Sequence, residues 1–201
     1  MSENYVITIS REFGSLGRPI ARKMSEMLGI MYYDRDIVEE VSKQLDLPVP
    51  TISDVEERAP GNYFFMRFPL GNMTSDLQNK VFRVQQDIIT DLAERESCII
   101  VGRCADYVLR EKKNLMRVYI YTSYKNKYDN CIENLSMSPH AAKKMIRDVD
   151  QARIAYHMRY AGYMPDENKD ILIDSAFLGV EGTAWYLCQA AKRRFGLEIQ
   201  I

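Results

Sequence analysis

The chain has 201 residues, 46% of them hydrophobic and 27% charged, with a net charge of -1. That size fits one domain of ordinary soluble composition, residues 1–201. The near-neutral charge argues against a general nucleic-acid binder, which is normally basic. No apolar run approaches the roughly 20 residues of a membrane-spanning helix. The opening Met-Ser-Glu-Asn lacks a basic-then-apolar leader. Cys98, Cys104, Cys131 and Cys188 form no C-x-x-C pair, and only His140 and His157 could add imidazole ligands, so no metal site is expected. The expectation is a cytoplasmic protein with reduced thiols and no membrane or nucleic-acid partner.

Val6 to Ile9 is a short apolar, β-branched run and reads as a buried strand. The segment Ser10 to Arg18 carries Gly14 and Gly17 and reads as a turn. Pro19 suits the first helical position, where a missing N–H costs nothing, and Ile20, Met24, Met27 and Leu28 follow at helical spacing up to Gly29. Ile30–Tyr33 reads as a second strand ending at Asp34, with Asp36 as N-cap of the next helix. Prolines and glycines break up the chain from Leu47 to Met73. Tyr63, Phe64, Phe65, Met66 and Phe68 cluster there, as a lid or as a packing and partner-binding loop.

Asp76 to Arg95 predicts a long helix, Cys98–Val101 a strand covered on both faces, and Arg117–Tyr121 a fourth strand. Helices follow from Tyr124 to Asn134 and from Pro139, the latter capped by Ser138 and spanning about 138–165. Asp170–Ile173 is the last core strand, Gly179–Arg194 the closing helix, and Leu197–Ile201 an added edge strand. Strands alternating with helices predict an α/β fold: a three-layer P-loop NTPase-like architecture with a five-stranded, mainly parallel sheet flanked by helices and a helical lid.

Ligands of such sheets bind beyond the carboxyl ends of the strands. There the sequence offers Ser10 to Arg18, Asp34-Arg35-Asp36, Gly102-Arg103, Thr122-Ser123 and Asp174-Ser175. Turns use the same residue types, but their joint occurrence beside a strand–glycine–helix unit points to an anion site. The loop lacks the G-x-x-x-x-G-K-S/T motif of a full phosphate-binding loop. A modified nucleotide site and a plain tight turn both fit at this point.

Ile7-Thr8-Ile9-Ser10-Arg11-Glu12-Phe13-Gly14-Ser15-Leu16-Gly17-Arg18 resembles the opening of the cytidylate kinase-like proteins, a branch of the P-loop nucleoside monophosphate kinases. Tyr32-Tyr33-Asp34-Arg35, Ile100-Val101-Gly102-Arg103, Val118-Tyr119-Ile120-Tyr121, Arg147-Asp148-Val149-Asp150-Gln151-Ala152-Arg153 and Ser175-Ala176-Phe177-Leu178-Gly179 continue the resemblance in order. It implies phosphoryl transfer from ATP, with Mg²⁺, to CMP, dCMP or a related small acceptor. ATP phosphates would lie on Ser10, Arg11, Gly14, Ser15, Leu16, Gly17 and Arg18. The acceptor would meet Asp34, Arg103, Lys127, Asp150 and Arg153. Arg18, Arg147 and Arg153 would stabilise the transferring group.

Arginine forks suit that chemistry, which needs positioning and charge neutralisation more than covalent help. The same helix also reads as a solvated, salt-bridged face. Against the family pattern, Gly17 stands where the loop lysine would be and Pro19 where the Mg²⁺-binding hydroxyl would be. A phosphate-binding protein without catalysis therefore remains a second expectation. Homo-oligomerisation is left open by the sequence.

Overall fold

The computed structural model describes residues 4–46 and 75–197. The aromatic segment Tyr63–Phe68 and the expected edge strand's residues 198–201 lie outside the described residues. Five strands, β1 (Val6–Arg11), β2 (Met31–Tyr33), β3 (Cys98–Val101), β4 (Leu115–Tyr121) and β5 (Ile171–Asp174), form one sheet. Their order is β2-β3-β1-β4-β5, and every pairing is parallel. Among the described residues the helices are α1 (Gly17–Leu28), α2 (Arg35–Leu45), α3 (Ser75–Arg95), α4 (Ala105–Val108), α5 (Tyr124–Glu133), α6 (Pro139–Ala161) and α7 (Ser175–Phe195). The expected sheet and its flanking helices are thus present.

A parallel strand needs a crossover to reach its neighbour, and the helices supply it on both faces. Ile7, Ile9, Ile99 and Val101 pack under α1 and α7 with Ile20, Met24, Ala184 and Leu187. Val6, Cys98 and Ile100 point the other way, into α2 and α3 with Ile37, Val41, Val81 and Ile89. That is why the strands lack polar alternation. Each fully buried Ile is worth roughly 1.5–3 kcal/mol of transfer free energy. A third cluster joins α5 and α6 (Cys131, Ala142, Met145, Val149) to Phe13 of the glycine turn.

Several boundaries differ from expectation. β1 continues through Ser10 and Arg11 because both stay in register with β4, opposite Tyr119 and Ile120. α1 opens at Gly17, so Pro19 is its third residue and not its first; the first four N–H groups of a helix lack intrahelical acceptors, and a proline fits any of these positions. Asp34, not Asp36, stands at the N-cap of α2, yet its side chain makes no cap hydrogen bond. α7 begins at Ser175 behind an Asp174 cap and is interrupted at Gly179 (φ 64°, ψ -174°). The short α4 has too few residues to show a period.

Candidate functional site

From β1 the chain moves to one side of the sheet (β2, β3) and then to the other (β4, β5). The crevice of such a sheet opens beyond the carboxyl end of β1, where the connections diverge. The segment there is Glu12–Leu16. Glu12 N–H donates to Ile120 O at 3.0 Å, and the Ser15 hydroxyl donates to Glu12 O at 2.9 Å. Gly14 takes φ 74° and Leu16 φ 58°. A Cβ on Gly14 would lie 2.8 Å from Lys127 O, so both conformation and space require glycine there. Asn130 Nδ2 donates to Gly14 O at 2.8 Å.

The turn delivers the N-terminus of α1 into the crevice. Its first N–H groups have no intrahelical acceptor, and no acidic side chain occupies its first turn. A cavity of about 230 Å³ lies over this end, lined by Gly14, Leu16, Gly17, Arg18, Asn130 and Arg153 among others.

Arg11 and Asp34 form the centre of the site. Asp34 is 1% exposed. Its Oδ2 accepts from Arg18 Nε at 2.8 Å and from the Tyr32 hydroxyl at 3.0 Å, and its Oδ1 lies 3.7 Å from Arg11 Nη2. Burial pushes the Asp34 carboxyl upward, but the guanidiniums of Arg11, Arg103 and Arg18 outweigh it and hold the group below the usual carboxylate range. This explains why Asp34 does not cap α2: its oxygens are turned to the arginines.

After β3, Gly102, Arg103 and Cys104 take φ 76°, 59° and 52° in succession. Two of the three carry side chains, and left-handed backbone costs such residues about 1–2 kcal/mol each. The turn buries Arg103 beside a small cavity of about 50 Å³ that Ser10, Arg11, Cys104, Arg153 and His157 also line. Arg11 and Arg153 border both cavities.

A second buried ion network holds the turn from α5 and α6. Lys127 Nζ lies 2.9 Å from both Glu12 Oε2 and Asp150 Oδ2. Burial lowers the Lys127 pKa, but its hydrogen bonds to Asp150 and Glu12 prevail and raise it. Asp150 Oδ1 accepts from Phe13 N–H at 2.6 Å, and Glu12 Oε2 accepts from Thr122 N–H at 3.2 Å. Arg153 Nη1 donates to Arg11 O at 2.6 Å.

Of the residues singled out in sequence, Ser10, Arg11, Gly14, Leu16, Gly17, Arg18, Arg103 and Arg153 therefore line the two cavities. Ser15 is buried and spends its hydroxyl inside the turn. Asp34 anchors arginines. Lys127 and Asp150 line neither cavity, and their charged groups brace the turn. Arg147 stands on the exposed side of α6, paired with Asp148.

Glu12 was not singled out, although it lies inside the motif. His157 is also buried: it is 4% exposed, with Nε2 3.1 Å from Asp106 Oδ2 and Nδ1 2.9 Å from Tyr163 O. Lys169 Nζ donates to the same Asp106 oxygen at 2.8 Å. Asp106 and Lys169 are 63 positions apart, so no spacing could have signalled them.

A metal held by protein does not fit here. Glu12 is the only carboxylate lining either cavity among the described residues, and its Oε2 already accepts from Lys127 and Thr122. Pro19 offers no hydroxyl, and no group of three or more metal-compatible side chains occurs among the described residues.

An uncharacterised protein from Eubacterium ventriosum ATCC 27560 has a similar solved structure (TM-score 0.71, 23% identity, 94% of this chain and 99% of that one). So has the shikimate kinase of Acinetobacter baumannii in complex with shikimate (TM-score 0.53, 12% identity, 99% and 97%). A shikimate kinase from Bacteroides thetaiotaomicron is a third (TM-score 0.52, 11% identity, 94% and 96%). At these identities the likeness is one of fold, the P-loop kinase fold. No curated protein sequence matches the chain. Residues 6–176 match the model of the cytidylate kinase-like family, and the chain belongs to that family.

Proposed function

We propose that the protein is a nucleotide-dependent phosphotransferase that moves the γ-phosphoryl group of ATP to a small acceptor, with CMP or dCMP first among the candidates. The observation that carries this reading is the pair of adjoining cavities bordered in common by Arg11 and Arg153. One lies over the glycine turn and the N-terminus of α1, the other at the strained Gly102–Arg103 strand end. Among the described residues, Arg11, Arg18, Arg103, Arg153 and Lys127 gather with Glu12, Asp34 and Asp150. Guanidinium groups on the walls of both cavities suit an anionic ligand such as a phosphate.

In the reaction, an oxygen of the acceptor attacks the γ-phosphorus and forms the new P–O bond. The bond from that phosphorus to the β–γ bridging oxygen breaks, and its electron pair leaves on ADP. Helix N–H groups and arginine forks at the shared wall neutralise charge on the group in transit. Mg²⁺ would arrive with the nucleotide, since kinases commonly hold it largely through phosphate oxygens and water; no step here is routed through it. Asp150 and Lys127 serve the turn's shape in this reading, and base recognition falls to other contacts.

A second reading, nucleotide or phosphate binding without turnover, is favoured by one specific feature: Gly17 and Pro19 remove the usual lysine and hydroxyl. ADP release measured across nucleoside monophosphates, shikimate and gluconate separates the two. Turnover with CMP or dCMP supports the kinase. ATP binding by calorimetry without turnover of any acceptor supports the binding protein.

A further inference from the structure

We infer that Arg11 supplies the phosphate-gripping charge that the turn lacks at position 17, and that residue 17 is glycine because the Arg11 stem lies against it. This rests on the phosphotransferase reading and names the cation at the heart of it. A Cβ on Gly17 would lie 2.9 Å from Arg11 Cβ and 3.1 Å from its Cγ. The guanidinium end reaches Gly102, where a Cβ would lie 2.7 Å from Arg11 Nη1; there the φ of 76° favours glycine in any case. Gly17 is an ordinary helical residue with no positive φ, so its backbone does not ask for glycine; the arginine stem does. Any side chain at position 17, a lysine included, would sweep through space that Arg11 fills. The two cations are therefore alternatives, and the chain carries the one that starts from the strand.

Arg11 is also aimed. Asp34 lies 3.7 Å from its Nη2, Arg153 grips its carbonyl oxygen at 2.6 Å, and only 8% of it is exposed. Arg18, the neighbour that the sequence offers as a substitute for the lysine, donates through Nε to Asp34 at 2.8 Å and of the two cavities lines only the one over the turn, whereas Arg11 borders both. Coming from the end of the central strand, Arg11 reaches the wall shared by both cavities. A planar fork at that wall can hold oxygens of the donor and the transferring group together, which a lysine point charge does less well.

The test is ATP affinity by calorimetry for the wild type, Gly17→Ala, Arg11→Gly and the double variant Arg11→Gly/Gly17→Lys, each checked for folding by circular dichroism. Arg11→Gly is expected to weaken ATP binding about 10–100-fold. Gly17→Ala keeps every charge but displaces the Arg11 stem, and is expected to weaken binding about tenfold or more. The double variant is expected to bind more tightly than Arg11→Gly. Should Arg11→Gly fail to fold, Gly17→Ala decides alone. Wild-type affinity in Gly17→Ala, or a double variant no tighter than a folded Arg11→Gly, overturns the inference while leaving the kinase reading intact. A wild type that binds no ATP overturns the reading, and the inference with it.

Discussion

Replacing Asp34 by Asn would strip the central carboxylate from the arginine cluster while keeping its shape. Asp34 is 1% exposed and faces Arg11, Arg18 and Arg103. Removing one partner from a buried ion pair typically costs 3–5 kcal/mol, because the remaining charge is left uncompensated. Arg18 is 33% exposed and can turn to water, which relieves part of that cost. The expected loss is therefore near the lower figure, about 3 kcal/mol. For a chain of this size that lowers Tm by roughly 6–12 °C. Urea unfolding followed by circular dichroism measures it directly. Added inorganic phosphate should stabilise Asp34→Asn more than the wild type, since a bound anion then replaces the missing carboxylate. A loss below about 1 kcal/mol, with no extra benefit from phosphate, would refute the view that this carboxylate holds the arginines together.

Other consequences follow from the same geometry. Gly14→Ala should cost about 2–3 kcal/mol in a denaturation curve, because it forces φ 74° on a side chain and drives a Cβ to 2.8 Å from Lys127 O. Lys127→Met should leave Glu12 and Asp150 facing each other and cost about 3–5 kcal/mol, and adding Asp150→Asn should recover part of the loss in a double-mutant cycle. Asp34 and Asp106 both have carboxyls held below their ordinary value of 3.8 despite burial, Asp106 by its hydrogen bond from His157 and by Lys169. A depressed folded-state pKa gives stability that is complete above the unfolded value and is lost as pH falls through the folded one. Thermal unfolding at stepwise lower pH should thus show stability declining below about pH 4–5, and Asp106→Asn should flatten that decline.

The fold could be read from the chain because its signals are local. The unbroken apolar runs at Val6–Ile9 and Cys98–Val101 follow directly from a sheet covered on two faces, and Ser138-Pro139 begins α6 where capping chemistry says it should. Strand ends were harder: Ser10 and Arg11 look like turn residues, and only pairing with β4 keeps them extended. Within the site, the glycine turn and Arg103 stood out as residue types. The roles of Asp150 and Lys127 did not, because bracing the turn depends on contacts such as Phe13 to Asp150, 137 positions apart. Position 17 is the sharpest example. In sequence it is a missing lysine; in space it is the room that Arg11 needs.

In the proposed reaction the two cavities joined at Arg11 and Arg153 hold the phosphoryl donor and the acceptor. The most direct measurement is ADP formation from MgATP at high protein concentration, with and without CMP, dCMP and other small acceptors. The expected result is acceptor-dependent ADP matched by an equal amount of phosphorylated acceptor, and its loss in Arg153→Ala. No acceptor-dependent ADP from any of them, together with no ATP binding by calorimetry, would contradict it.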